Sequence, residues 1–260
     1  MDEKTNRFPF LGLYTLVIRE QKRFTSVWTQ TILAPIITAI LFLIVFSIIL
    51  VNRKIQVSEF NYTLFIAPGI LTLIVMQNAF ANTSSSLLIS KVQGNIIDTL
   101  VAPLSPLEVV VGYMLGGILR GLFVSFAIIV IIFPVIQLNP EYPLIMIGFI
   151  IVASAKLSLL GILAGIVSEK FDHMQAIINF AITPLTFLSG TFYSINSLPS
   201  VLNSIISYNP IFLLIDGVRY GCIGYSESSP LRSLFFCAII CFVLLYLCTY
   251  WFRIGYKLKQ

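Results

Sequence analysis

The sequence predicts an all-α polytopic membrane protein, and three observations carry that expectation. Of its 260 residues, 58% are hydrophobic and only 10% are charged, whereas soluble domains carry roughly 25% charged residues. The apolar residues also fall in blocks. A membrane-crossing helix needs about 20 mostly apolar residues, and six blocks reach that length: 27–51, 62–83, 107–133, 143–167, 173–193 and 231–252. Finally, the basic excess, net +5, is sorted by side. Lys4, Arg7, Arg19, Lys22 and Arg23 precede the first block, Arg253, Lys257 and Lys259 follow the last, and six crossings put the loops with Lys91 and Lys170 on the same side. The opposite side holds Arg53, Lys54, Arg219 and Arg232. The positive-inside rule then places both termini in the cytoplasm. The charge reports topology, not a nucleic-acid partner.

Residues 8–24, "FPFLGLYTLVIREQKRF", read as an interfacial helix. Phe10, Leu13, Tyr14, Val17 and Phe24 form one stripe, and Arg19, Lys22 and Arg23 cluster near its end. An apolar face with a basic remainder lies flat in the headgroup region. The polar start of the chain shows no cleavable signal peptide. Inside the spans, Pro35, Pro68 and Pro184 each leave a backbone carbonyl unpaired and bend the axis, making Pro68-Gly69 and Thr183-Pro184 candidate hinges. Gly112, Gly116, Gly117 and Gly121, then Gly161 and Gly165, are spaced for close helix contact. Packing within one chain and dimerisation explain that spacing equally well.

Between spans two and three lies "KVQGNIIDTLVAPLSP", residues 91–106. Asn95 can cap a short helix over 95–102 with Asp98 at its third position. Ile96, Ile97, Leu100, Val101 and Leu104 then share a face, and Pro103 ends the element. Ser105-Pro106-Leu107-Glu108 supplies a cap, an N1 proline and an N3 acid for the next span. Such a helix cannot bury its apolar face alone. It lies on the membrane or fits a cleft on a cytoplasmic partner.

The stretch 194–230 holds two helical patterns too short to cross a bilayer, about 198–208 and 210–220. Asn209-Pro210 reads as an N-cap followed by an N1 proline. Val201, Leu202, Ile205 and Ile206 share a face, and Asp216 can pair with Arg219 three residues on. A re-entrant or surface-lying pair of half-helices fits best.

Arg120 and Lys156 sit near the middle of spans three and four, where a charge costs about 2.5–3.5 kcal/mol on insertion scales. Either they line a path for anionic groups or they are paired structurally. Phe187 is an aromatic candidate for the same path. His173 reads as an interfacial anchor. Of the four cysteines, Cys237, Cys241 and Cys248 lie within the last span and Cys222 has no evident mate. Packing explains them better than a disulfide framework or a metal site.

"KVQGNIIDTLVAPLSP" resembles the coupling-helix region of ABC-2 type transporter permeases. "TPLTFLSGTFYSINSLP" followed by "YNPIFLLIDGVRYG" is similar to that family's signature around the fifth span, and the resemblance covers essentially the whole chain. It is nearest the bacterial drug, polysaccharide and lipid export branch. The resemblance implies a permease in the bacterial inner membrane, usually a homodimer, paired with two cytoplasmic ATPase subunits. The hydrophobic, lipid-linked or polysaccharide substrate would be moved outward by alternating access. It also implies that Asn95, Ile96, Ile97, Asp98, Leu100, Val101 and Pro103 dock the ATPase. The dimer seam would run through spans one and five, near Pro35, Pro184, Phe187 and Gly190. No GxxxxGK[ST] phosphate loop is present, so no cofactor is expected on this chain, and ATP and Mg belong to the partner.

Two other classes compete. An ion-gradient-driven secondary transporter predicts acidic residues inside the spans, and none falls mid-span. A membrane-embedded lipid-modifying enzyme predicts clustered acids or histidines at one interface, and no such cluster is evident.

Overall fold

A computed structural model of the chain describes residues 11–51, 56–57 and 60–258. Phe10, Arg53, Lys54 and the basic residues at 4, 7 and 259 lie outside them. The chain is all-α apart from a two-residue antiparallel ladder, β1 (Gln56–Val57) with β2 (Phe60–Asn61). The helices are α1 (Leu11–Ser26), α2 (Ala34–Val51), α3 (Tyr62–Val92), α4 (Ile96–Val101), α5 (Pro106–Val135), α6 (Pro143–Val167), α7 (Phe171–Ile177), α8 (Thr183–Phe187), α9 (Ser200–Ser207), α10 (Pro210–Ile223) and α11 (Pro230–Ile254).

Local chemistry sets many of these boundaries. Ser105 and Glu108 form the expected capping box at the start of α5, with Ser105 N donating to Glu108 Oε2 at 2.7 Å and Glu108 N to Ser105 Oγ at 3.3 Å. Asn209 Oδ1 accepts from Ile211 N at 2.9 Å and starts α10 beside Pro210. Gly224 and Gly255, at φ +67° and +68°, end α10 and α11 in the left-handed region, which glycine enters without a Cβ clash. Asn95 departs from expectation. Its backbone is already helical and its side chain caps nothing, donating instead to Gln93 Oε1 at 3.3 Å.

Two prolines reshape the turns before them. Pro35 and Pro184 each occupy the second residue of their helix, and each follows a π-helical turn, Thr29–Leu33 and Ile178–Ile182. A proline ring clashes with the carbonyl four residues back, and a wider turn relieves that clash.

Among the described residues, five helices are long and apolar enough to cross a membrane by themselves. The remaining crossing, the fifth in chain order, is shorter than the sequence suggests. Residues 171–187 run through α7, the π turn and α8 and stop at Phe187. That makes about 25 Å of helix. Gly190, at φ +67°, turns the chain where the pattern predicts continuing helix to 193. This segment has to cross, because α6 ends beside α4 and α11 begins at the opposite end. α11 runs alongside α6 in the same direction, Cys241 Sγ meeting Val152 O and Cys248 Sγ meeting Leu159 O. The predicted half-helices are α9 and α10, bent by 83° to one another. α10 starts beneath Cys237, whose Sγ contacts Pro210 O. It climbs back until Gly221 O accepts from Tyr142 N at 2.9 Å. The pair is re-entrant.

The core is α3 against α6, with α5, α10 and α11 around them. Small residues permit the contact. A Cβ on Gly112 or Gly116 would meet Leu16 or Glu20 of α1 within 2.6 Å, and one on Gly117 or Gly121 would meet Ser158 or Ser154 of α6 within 2.3 Å. A Cβ on Gly161 would sit 2.5 Å from the carbonyl oxygen of Phe80. All of these glycines serve contacts within the chain.

Candidate functional site

Both described ends of the chain meet at the end of the bundle that carries α4, here the near end. Leu258, 2% exposed, packs in one apolar cluster with Ile96, Leu87, Tyr113 and Phe252. The face expected to be continuous on α4 is split. Ile96 and Thr99 are buried and Leu100 is partly buried against that cluster, while Ile97 and Val101 are 57% and 78% exposed. On so short a helix, residues four apart share a face. The pair 96/100 therefore anchors the element and the pair 97/101 points away. Asp98 and Pro103 are also exposed, and Leu104 turns inward onto Gly12 of α1. A groove of about 690 Å³ beside α4 is lined by Lys91, Gly94, Ile97, Leu100, Val101 and Leu258.

The base of α4 is fixed by Lys91, which belongs to α3 rather than to a loop. Its Nζ donates to the carbonyls of Gly165, Ile166 and Ser168 at 3.2, 2.6 and 2.8 Å. Those are the orphan acceptors at the C-terminus of α6, where a cation is favoured. Gly94, at φ +78°, then turns the chain into α4.

α1 ties α4 to the bundle through charges that the sequence reading treated only as topology signals. Arg19 donates to Thr99 Oγ1 of α4 and Tyr113 Oη of α5, both at 3.1 Å. Glu20, 1% exposed, accepts from Ser86 Oγ of α3 at 2.8 Å and pairs with Arg19 at 3.5 Å and Arg23 at 3.2 Å. Arg23 donates to Asn82 O and Oδ1 at 2.7 and 2.8 Å. One signal was available: Glu20 is the sole acid within "IREQKR". The buried side of α1 is Leu16, Glu20 and Phe24, while Tyr14 is 62% exposed. Of the described stripe residues Phe24 is buried, Leu13 and Val17 are partly buried and Tyr14 is exposed, so the buried side is shifted toward Leu16 and Glu20.

The three path candidates are not brought together. Arg120 is partly buried at the α3–α5 seam, donating to Asn78 Oδ1 at 3.2 Å. Lys156 is 2% exposed, sealed inside the bundle near Cys237 and Cys241, and its Nζ has no hydrogen-bond partner among the described residues. Phe187 sits at the far end, stacked 5.8 Å from Phe192, which in turn packs 4.5 Å from Phe46 of α2. The expected seam residues separate too. Pro184 and Phe187 are exposed, but Pro35 is buried within the chain. Gly190 is also buried, its carbonyl accepting from Arg219 Nη2 at 2.8 Å.

That arginine is the hub of the far end. Arg219 and Asp216 are both 0% exposed and pair at 3.6 Å, as their spacing predicts. The guanidinium also lies 3.9 Å from the Phe65 ring centroid and donates to Phe65 O. Asp216 accepts from Glu227 N, Ser228 N and Ser228 Oγ, at 2.5 to 3.1 Å. Glu227 in turn accepts from Ile195 N at 2.9 Å and from Ser194 Oγ. His173 is exposed at the start of the fifth crossing. Among the described residues, no group of histidine, cysteine and acidic side chains could hold a metal ion.

A six-crossing bundle with a re-entrant pair after the fifth crossing and a short braced helix after the second is one side of the identification. The other is sequence similarity, as residues 12–223 match the ABC-2 type transporter family. The chain belongs to that family. The Inner membrane transport permease YadH of Escherichia coli (strain K12) is 33% identical over 238 residues, spanning 92% of this chain and 93% of YadH. The protein of the same name from Shigella flexneri matches to the same extent. This ABC-2 chain is accordingly a polytopic membrane protein; its short α4 falls on the first stretch that carried the resemblance and α10 on the last, with α9 in the gap between residues 199 and 208.

Proposed function

We propose that this chain is the membrane subunit of an ATP-driven exporter, acting as a dimer with two ABC ATPase subunits. The near end, with both described ends of the chain, would face the cytoplasm. The observation that carries the reading is α4: a helix with two exposed apolar side chains, Ile97 and Val101, on a base fixed by Lys91, Arg19 and Leu258. A rigid apolar knob suits insertion into a cleft on a partner, and its ties to α1, α3 and α5 give motion there a route into the crossings. The ATPase supplies hydrolysis, and the permease supplies the path, which alternates its opening between the two sides. Membership of the ABC-2 family and the likeness to a transport permease support the same assignment.

The test is co-purification of an ATPase bearing a GxxxxGK[ST] loop with the tagged chain from its own host's membranes. Burying an aliphatic side chain is worth roughly 1.5–3 kcal/mol. Ile97→Asp and Val101→Asp should therefore weaken recovery at least tenfold, with helicity and detergent melting unchanged. Leu100→Asp should instead lower the melting temperature, because Leu100 faces inward. Full recovery of the ATPase by folded Ile97→Asp and Val101→Asp proteins would overturn the docking role.

A further inference from the structure

Arg120 is the fifteenth of the thirty residues of α5, roughly 20 Å from either end of that helix. A guanidinium at such depth requires compensation. The structure supplies little. Among the described residues no carboxylate pairs with Arg120, its sole hydrogen bond runs to the neutral amide of Asn78, and its Nε is buried without a partner. Arg23, bonded to Asn82 one turn along α3 from Asn78, brings a like charge to the same seam.

A second orphan donor lies on the same seam. Asn82 is 0% exposed and its Nδ2 has no partner among the described residues, while its Oδ1 is committed to Arg23. That commitment fixes which way the amide points. Nδ2 faces Gly116, one turn before Arg120 on the same face of α5, and Asn78 and Asn82 are one turn apart on α3. Glu20, the acid in this cluster, is already shared by Arg19, Arg23 and Ser86. Three guanidiniums stand against one carboxylate, with buried N–H donors directed into the seam between α1, α3 and α5.

We propose that Arg120 and Asn82 form a binding site for a phosphate group within the membrane, with Arg23, whose nitrogens are already bonded to Glu20, Ser85 and Asn82, contributing its charge. The Arg120 guanidinium matches phosphate oxygens bidentately, and Asn82 Nδ2 adds a neutral donor. The phosphate is carried either by the headgroup of an anionic amphiphile or by a soluble phosphate ester. Phe123, 38% exposed and three residues beyond Arg120, offers an apolar neighbour for an amphiphile. Where the bound molecule is cargo, the assignment rests on the export reading, but the binding itself needs no ATPase.

The experiment is thermal unfolding of the purified full-length chain in neutral detergent. Titrants are short-chain phosphatidylglycerol, diacylglycerol of the same chain length, and inorganic phosphate. Saturable stabilisation is expected from phosphatidylglycerol or from inorganic phosphate, and not from diacylglycerol. Stabilisation by the lipid assigns an amphiphile, and stabilisation by inorganic phosphate alone assigns a soluble ester. The apparent Kd should rise at least tenfold in Arg120→Gln and in Asn78→Asp, and stay unchanged in Arg232→Gln at the far end. Asn78→Asp is the decisive variant. It gives Arg120 an internal counter-ion, so the protein should fold at least as stably as Arg120→Gln while losing the anion. Equal binding by wild type and Asn78→Asp would overturn the site, as would stabilisation by diacylglycerol matching that by phosphatidylglycerol. Binding is read on the permease alone, so failure of the export reading would leave this result standing.

Discussion

At the far end, Asp216 and Arg219 pair within one turn of α10, and their remaining bonds go largely to backbone groups of the adjoining segments, at Phe65, Gly190, Glu227 and Ser228. At the near end, Glu20 and its two arginines on α1 reach side chains on three other helices, Ser86, Asn82, Thr99 and Tyr113. The far cluster is fully sealed, whereas Arg19 and Arg23 are 45% and 31% exposed. A sealed pair bonded to backbone holds one shape, since every rearrangement strands a buried charge. A half-open cluster bonded through side chains can exchange partners with water as helices shift. The difference separates a clamp that holds the re-entrant pair from a joint that links α4 to the bundle.

The largest effect should come from breaking the clamp. Asp216→Ala leaves Arg219 buried and uncompensated and should cost about 3–5 kcal/mol, read as a lowered melting temperature in detergent. Adding Arg219→Met should recover part of the loss, because the second change removes the stranded charge. If Asp216→Ala melts like wild type, the far cluster is not a clamp. Glu20→Gln should come next. It should cost about 1–2 kcal/mol after allowance for the exposed arginines. Its more telling readout is ATP turnover by the complex, which should fall further than stability does while the ATPase still co-purifies. Equal losses in stability and turnover would make the joint a second clamp. The smallest effect belongs to Ser105→Ala, which removes an exposed cap worth about 1 kcal/mol and should leave turnover intact.

What the sequence made legible follows a physical line. Blocks of apolar residues, the capping box at Ser105 and Glu108, the proline-initiated α10 and the Asp216–Arg219 spacing are local patterns, and each is found where it was expected. The fifth crossing was misjudged in length because Phe192 and Tyr193 are apolar without being helical; Gly190 turns the chain first. The face of α4 was misjudged because hydropathy cannot say which of two adjacent isoleucines finds a neighbour. Ile96 joins the near-end cluster that also holds Cys248 and Leu258, residues more than 150 positions away. The roles of Arg19, Glu20, Arg23 and Lys91 stayed hidden for the same reason. Apart from the pairing of Glu20 with Arg19 and Arg23 inside α1, their partners are backbone carbonyls, hydroxyls and the Asn82 amide on other helices, which leave no charge pattern to read.

The π turns before Pro35 and Pro184 have a bearing on how the chain tolerates change in length. A π turn is in effect one residue inserted into an α-helix, and each residue advances the helix by about 100°. Deleting a single position from Thr29–Leu33 would therefore let the turn close into regular α-helix. Four α residues turn the chain by about 400° and rise about 6 Å, roughly what the five-residue π turn does, so everything after it in the first crossing would keep both its depth and its facing. Phe42 and Phe46 would then still meet Phe192, and the first crossing would keep its aromatic hold on the fifth. In this helix the extra residue is absorbed within the turn, so a one-residue deletion there should be tolerated better than one in the regular helix that follows.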